Sequence, residues 1–147
     1  MRMALTQKFI NVTPPAAIND NTAFTTGAVD MQGWRHATFL IILGATDIAV
    51  AALKLTESEA SDMTGATDVP GADFSVAPAT LPADTDDNTI FAIHCRSLGK
   101  RKRYLDLSFT AGNGTLGTFA SVIAVLSDPE IFPVSAADRG LAAELTV

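Results

Sequence analysis

Between positions 33 and 59 two apolar runs stand on either side of a short polar break. The first, residues 36–43, is β-branched, aromatic and nearly uncharged, a composition that predicts a strand buried on both faces. The second, residues 50–57, alternates. Ala51, Leu53 and Leu55 point one way and Ala52, Lys54 and Thr56 the other, the period-two mark of a half-solvated strand. Residues 44–47 supply turn chemistry, with Gly44 free to adopt positive φ and Asp47 able to bond its own backbone. The expectation is a core hairpin.

The same reading places a first strand over residues 4–12, stopped by Pro14 and Pro15, which remove two backbone donors in succession. A second short strand is expected over 22–29, between turn-rich boundaries at 19–21 and 30–33. Residues 58–88 then turn to Ser, Asp, Thr, Gly, Ala and Pro, with small strands expected near 67–69 and 74–77. No Lys or Arg falls between Lys54 and Arg96, so this long connection forms an acidic, solvated surface. Regular structure resumes over 89–95, followed by a basic turn at 96–102. Next comes the clearest alternation in the chain, with Arg103, Leu105, Leu107 and Phe109 on one face and Tyr104, Asp106 and Ser108 on the other. Asn113 and Gly114 sit between two apolar runs and signal a hairpin, leading into a long apolar strand over 118–126. Residues 131–133 are expected to clip onto the sheet, and residues 136–145 to form a short helix or an extended arm.

Short strands, frequent turns and the lack of a convincing amphipathic helix predict an all-β fold, an antiparallel β-sandwich or jelly roll. The 147 residues are read as a single domain. Its core spans about 22–127, with an N-terminal strand or arm at 1–15 and a C-terminal arm at 128–147.

With 48% apolar and 18% charged residues the chain belongs among globular proteins, not disordered ones. A net charge of −6 argues against general nucleic-acid affinity. Cys95 is the only cysteine, so no internal disulfide forms. The N-terminal residues lack the apolar run of a signal peptide, and no stretch reaches the ~18 apolar residues of a membrane helix. Synthesis and folding in a cytosol, with neither a nucleic-acid nor a membrane partner, is the expectation.

Candidate chemistry is sparse. Residues 84–88, with Asp84, Asp86 and Asp87, have oxygen ligands that suit a hard cation. They lack the Gly and the distal Glu of an EF-hand loop, so a solvated acidic turn is the reading. His36 and His94 have no partners close in sequence, and Cys95 follows His94 directly, which puts their side chains on opposite faces of a strand. No serine lies in a nucleophile elbow. The chain is therefore read as a non-enzyme with no catalytic residue, no cofactor and no metal. Trp34 could stack on a sugar ring, but its place before an apolar strand favours core packing.

Lys100, Arg101, Lys102 and Arg103, with Arg96 nearby, make five of the ten basic residues. With an acidic whole and no stacking aromatic beyond Tyr104, a protein contact or a solvated turn is favoured over nucleic acid. The acidic segment of the same chain is a complementary surface, so head-to-tail contact between copies would close a ring such as a trimer.

Taken together, Gly44-Ala45-Thr46-Asp47-Ile48-Ala49, Ala52-Leu53-Lys54, Glu57-Ser58, Gly65-Ala66-Thr67-Asp68-Val69, Asp86-Asp87-Asn88 and Arg101-Lys102-Arg103-Tyr104-Leu105 resemble small virion proteins of tailed bacteriophages. The resemblance spans about residues 34–126. It implies a capsid decoration, or cement, protein: a β-sandwich-like subunit, often trimeric, bound to the major capsid protein on the virion surface where capsomers meet. Under it, Phe9, Ile10, Phe132 and Leu141 join the basic turn as partner-contact candidates. Two other classes are weighed against it. A carbohydrate-binding or host-recognition module requires Trp34 or Tyr104 to be exposed, and a head–tail or tail structural component requires a ring of other symmetry.

Overall fold

Among the described residues eight strands carry the fold: β1 (Lys8–Thr13), β2 (Val29–Asp30), β3 (Trp34–Thr46), β4 (Ala52–Ser58), β5 (Thr67–Asp73), β6 (Ile90–Arg96), β7 (Tyr104–Thr110) and β8 (Thr118–Pro129). The computed structural model describes residues 6–97, 99–133 and 135–145, and no α-helix occurs among them. Ala4 and Leu5 of the expected first strand, and Leu98 of the basic turn, lie outside the described residues.

The strands form two four-stranded antiparallel sheets, sheet A in the order β1-β8-β3-β6 and sheet B in the order β2-β7-β4-β5. Strand β1 pairs with β8, β2 with β7, β3 with β6 and β4 with β5. A chain that doubles back between β4 and β5 makes one long ribbon of four such couples. Rolling that ribbon adds the β3–β8 and β4–β7 pairings. This is the jelly roll, and the all-β sandwich read from the sequence is the fold observed.

Rolling the ribbon separates two pairs of strands that the sequence joins as hairpins. Strands β3 and β4 lie in different sheets, as do β7 and β8, and all four send residues into the shared core. Gly44 continues β3 instead of turning it. A Cβ there would come within 2.8 Å of the Phe119 ring carbon Cδ1, so its glycine leaves room for an aromatic laid across from the neighbouring strand. Asp47 does not bond its own turn alone. Its carboxylate accepts the amides of Thr115, Leu116 and Gly117, holding down the arch that carries Asn113 and Gly114 from sheet B to sheet A. Those three bonds hold the Asp47 carboxyl below the usual carboxylate range.

Strand β3 is not buried on both faces. Ala37, Phe39, Ile41 and Leu43 are at most 2% exposed, while His36, Thr38, Leu40 and Ile42 between them are half-buried. A two-layer fold covers one face of each sheet and supplies no third layer for the other. Inward residues of β4 (Leu53, Leu55), β7 (Leu105, Leu107, Phe109) and β8 (Val122, Ala124, Leu126) complete the core. Phe24 stacks on Phe109 with centroids 4.2 Å apart.

The segment 22–29 is extended but mostly not a strand. It is tied to β7 by the Phe24 amide on Phe109 O at 2.9 Å and by the Thr26 hydroxyl on Leu107 O at 3.1 Å. The small strand near 67–69 opens β5, whereas residues 74–77 turn. Both the amide and the hydroxyl of Ser75 donate to the Asp73 carboxylate there, closing a local turn that competes with strand pairing. Strand β1 is part of sheet A, with Val12 in the core, so the packed domain reaches further toward the N-terminus than residue 22. Residues 136–140 form turns, neither a helix nor an extended arm. They return to β1, where the Phe9 amide donates to Arg139 O at 2.8 Å. The Arg139 side chain, 3% exposed, is paired with Glu144.

Candidate interaction surface

The inward alternation of β3 and β8 fixes what sheet A presents outward. Cross-strand register lines up Phe9, Val125, Thr38 and His94 in one row, then Asn11, Ile123, Leu40 and Ala92, then Ser121, Ile42 and Ile90. Phe119 extends the patch over Gly44. Ile90 is 63% exposed and Phe119 38%. Apart from Asn11 and Ser121, the outer face of sheet A is apolar from the Leu40 row to Phe119, and its other polar residues gather toward the Trp34 end of β3.

Sheet B has the opposite character. Its outward rows are Asp106, Thr56 and Asp68, then Ser108, Lys54 and Asp73. Lys54 Nζ lies 2.8 Å from Asp68 Oδ2. Antiparallel sheets with one solvated face alternate apolar-in and polar-out. Sheet B follows that rule and sheet A breaks it.

The polar end of sheet A holds two stacked histidines, His36 and His94, with ring centroids 5.9 Å apart and planes within 10°. His36 Nδ1 hydrogen-bonds with Ser127 Oγ at 3.1 Å, and His94 Nδ1 with Thr38 Oγ1 at 3.0 Å. Burial first, and then electrostatic repulsion from the neighbouring His94 and Arg96, lower the pKa of His36. A histidine whose folded pKa lies below its unfolded value binds fewer protons when folded, so stability falls as pH drops through the unfolded value near 6.5. Urea unfolding from pH 7.5 to 5 is expected to show a decline that is reduced in His36→Asn. Equal pH dependence of the two proteins would exclude this role.

The basic turn serves its own chain. Arg101 Nη1 reaches Glu57 Oε1 at 3.3 Å and the Lys102 amide donates to Glu57 Oε2 at 3.2 Å, while Lys102 Nζ donates to Thr67 Oγ1 at 3.0 Å. Arg103 forks onto Asp30 through Nε at 2.9 Å and Nη2 at 2.7 Å, which lowers the Asp30 pKa. Lys100 is exposed and makes none of these ion pairs. Three of the four cations in this run are therefore committed within the subunit.

The remaining sequence candidates scatter. Phe9 lies on the outer face of sheet A, whereas Ile10 points inward and packs against the core. Phe132 is 66% exposed beyond the Trp34 end of β3, beside Ile131 at 85%, so residues 131–132 do not clip onto the sheet. Leu141 is half-buried in the C-terminal turn. Trp34 packs against the core, and the Arg103 guanidinium lies 5.0 Å from the Tyr104 ring centroid. Cys95 is buried and free, with its pKa raised by burial.

At the acidic turn, the Asp86 carboxylate accepts the Ala83 amide at 2.8 Å and the Asp87 carboxylate the Thr46 amide at 2.7 Å. Among the described residues no three His, Cys, Asp or Glu side chains are grouped to share a metal ion. Nor is any helix long and apolar enough to cross a membrane.

Sequence reasoning missed Leu40, Ile42, Ile90, Ile123 and Val125 as surface residues. The signal was present in the uncharged run 36–43, which carries apolar residues on both faces of its strand. Comparison with protein-family models, with curated proteins and with solved structures gives no match.

Proposed function

We propose that the protein is a non-enzymatic virion structural protein that binds the outer surface of a tailed-phage capsid at capsomer junctions and stabilises the head. The observation that carries the reading is the apolar outer face of sheet A, opposed to the polar outer face of sheet B. An apolar patch of this kind marks a contact site on a soluble protein. Docking sheet A on the major capsid protein would leave the charged sheet B toward solvent.

The jelly roll is an architecture of viral capsid domains and also of lectins. Fold analogy alone does not choose between them. The sugar-binding alternative is less well supported, because Trp34 is packed against the core and Tyr104 lies beneath Arg103. The charge argument for a head-to-tail trimer also weakens, since Glu57 and Asp30 of the same subunit engage Arg101 and Arg103. Several contacts per head would give avidity that lets modest interfaces resist the pressure of packed DNA.

The test is to add purified protein to expanded capsids that lack it and to locate bound density by electron cryo-microscopy. Density at the capsomer junctions, on particles that survive higher temperature, is the expected result. Absence of binding at saturating protein would overturn the capsid reading and direct the search to the tail.

A further inference from the structure

Four strands form the sheet edges: β1 and β6 in sheet A, β2 and β5 in sheet B. An open edge offers unpaired backbone donors and acceptors to another chain, and proteins commonly blunt such edges. Three of the four are blunted. The C-terminal turn lies against β1, whose Phe9 amide is taken by Arg139 O. Strand β2 is only two residues long. Strand β5 contains Pro70, has Gly71 at φ 79° and pairs with β4 through a register shift.

Strand β6 has none of these defences. It contains no proline, lysine or register shift, and no Asp, Glu, Lys or Arg from Ile90 through Cys95. The Leu43 amide donates to Thr89 O and the Ser97 amide to Arg35 O, which sets the alternation. Residues 91, 93 and 95 turn their backbone groups toward β3, and Ile90, Ala92, His94 and Arg96 turn theirs to the open side. No other strand pairs with that side among the described residues. A groove of about 250 Å³ runs beside it, between Ala92 and His94 of β6 and Gly71, Ala72, Phe74 and Ala79 of the same subunit.

We infer that β6 pairs antiparallel with β6 of a second copy of this chain, joining two A sheets into one eight-stranded sheet across a two-fold axis. Charge favours this occupant and orientation. Strand β6 begins after the acidic residues Asp84, Asp86 and Asp87, the last two of which keep their negative charge while accepting the Ala83 and Thr46 amides, and it ends at Arg96, with Lys100 beyond it. Arg96 and Lys100 belong to none of the ion pairs among the described residues. An antiparallel couple sets the acidic end of each strand beside the basic end of the other, twice by symmetry. A parallel couple sets like charges together. A head-to-tail ring built by strand pairing would need a second open edge, whereas an isologous pair needs only one. The inference is independent of the capsid reading, because it requires no capsid.

Sedimentation equilibrium of the purified full chain over a dilution series, with amide hydrogen exchange at each concentration, tests it. A reversible species of twice the chain mass is expected, with the Ala92 and His94 amides protected at high concentration and exposed on dilution. Ala92→Lys puts a charge on the edge and is expected to weaken association by roughly 10-fold or more. If that variant misfolds, Ala92→Pro removes an amide that the subunit does not use for pairing with β3. A monomer throughout, a trimer, or a dimer whose Ala92 and His94 amides exchange freely would each overturn the inference.

Discussion

Phe39→Ala is expected to lower the free energy of unfolding by about 3–5 kcal/mol, whereas Leu40→Ala, one position along β3, lowers it by about 1 kcal/mol or less. Phe39 is fully buried and belongs to the shared core, so its truncation leaves a cavity that neighbours from both sheets must collapse to fill. Leu40 is half-buried on the outer face between Ile123 and Ala92, where removing its side chain opens no enclosed void. Urea titration of both variants at neutral pH measures the difference. Equal, large losses would mean that Leu40 is covered within the subunit, and the surface assigned to sheet A would disappear.

The second large effect falls on the basic turn. Arg101→Ala is expected to destabilise by about 2–3 kcal/mol, because it leaves the Glu57 carboxylate at the sandwich interior without its cation. Glu57 is 7% exposed, and its remaining contact is the Lys102 amide at 3.2 Å. Arg101 keeps partial access to water, so the effect lies below that of a fully buried pair. Glu57→Leu should be milder, since the freed guanidinium can turn to solvent. The double variant Arg101→Leu with Glu57→Leu is expected to recover most of the stability lost in Arg101→Ala. Thermal or urea unfolding of the variants checks the ranking; no loss in Arg101→Ala would contradict a structural role for the pair.

Faces were more legible in the sequence than partners. Alternation in residues 103–109 places Leu105, Leu107 and Phe109 on one face with Arg103, and those three lie in the core while Arg103, at the open end of the run, is exposed. Period two states which residues share a face but not which strand lies alongside. Apart from β4 with β5, the ribbon couples join strands far apart in sequence, such as Phe9 with Val125. Local turn signals therefore misled at Gly44 and at Asn113-Gly114, where the chain changes sheets instead of doubling back within one.

The candidate surface was hidden for a related reason. A run such as 36–43, apolar on both faces of its strand, predicts burial on both sides. One face lies in the core and the other is left open by a two-layer fold. The basic turn was visible as a charge cluster, but its partners Glu57 and Asp30 come from strands β4 and β2. Nothing close to it in sequence revealed that its charges were already engaged.

The most direct measurement is capsid binding by outward-face variants of the two sheets. Leu40→Glu together with Ile123→Glu places charge on the apolar face without touching the core, and Thr56→Glu does the same on sheet B. Circular dichroism of each variant establishes that the sandwich is retained. Loss of binding by the sheet A variant, with binding kept by the sheet B variant, is the result expected if sheet A meets the capsid. Undiminished binding by the folded sheet A variant would contradict that claim.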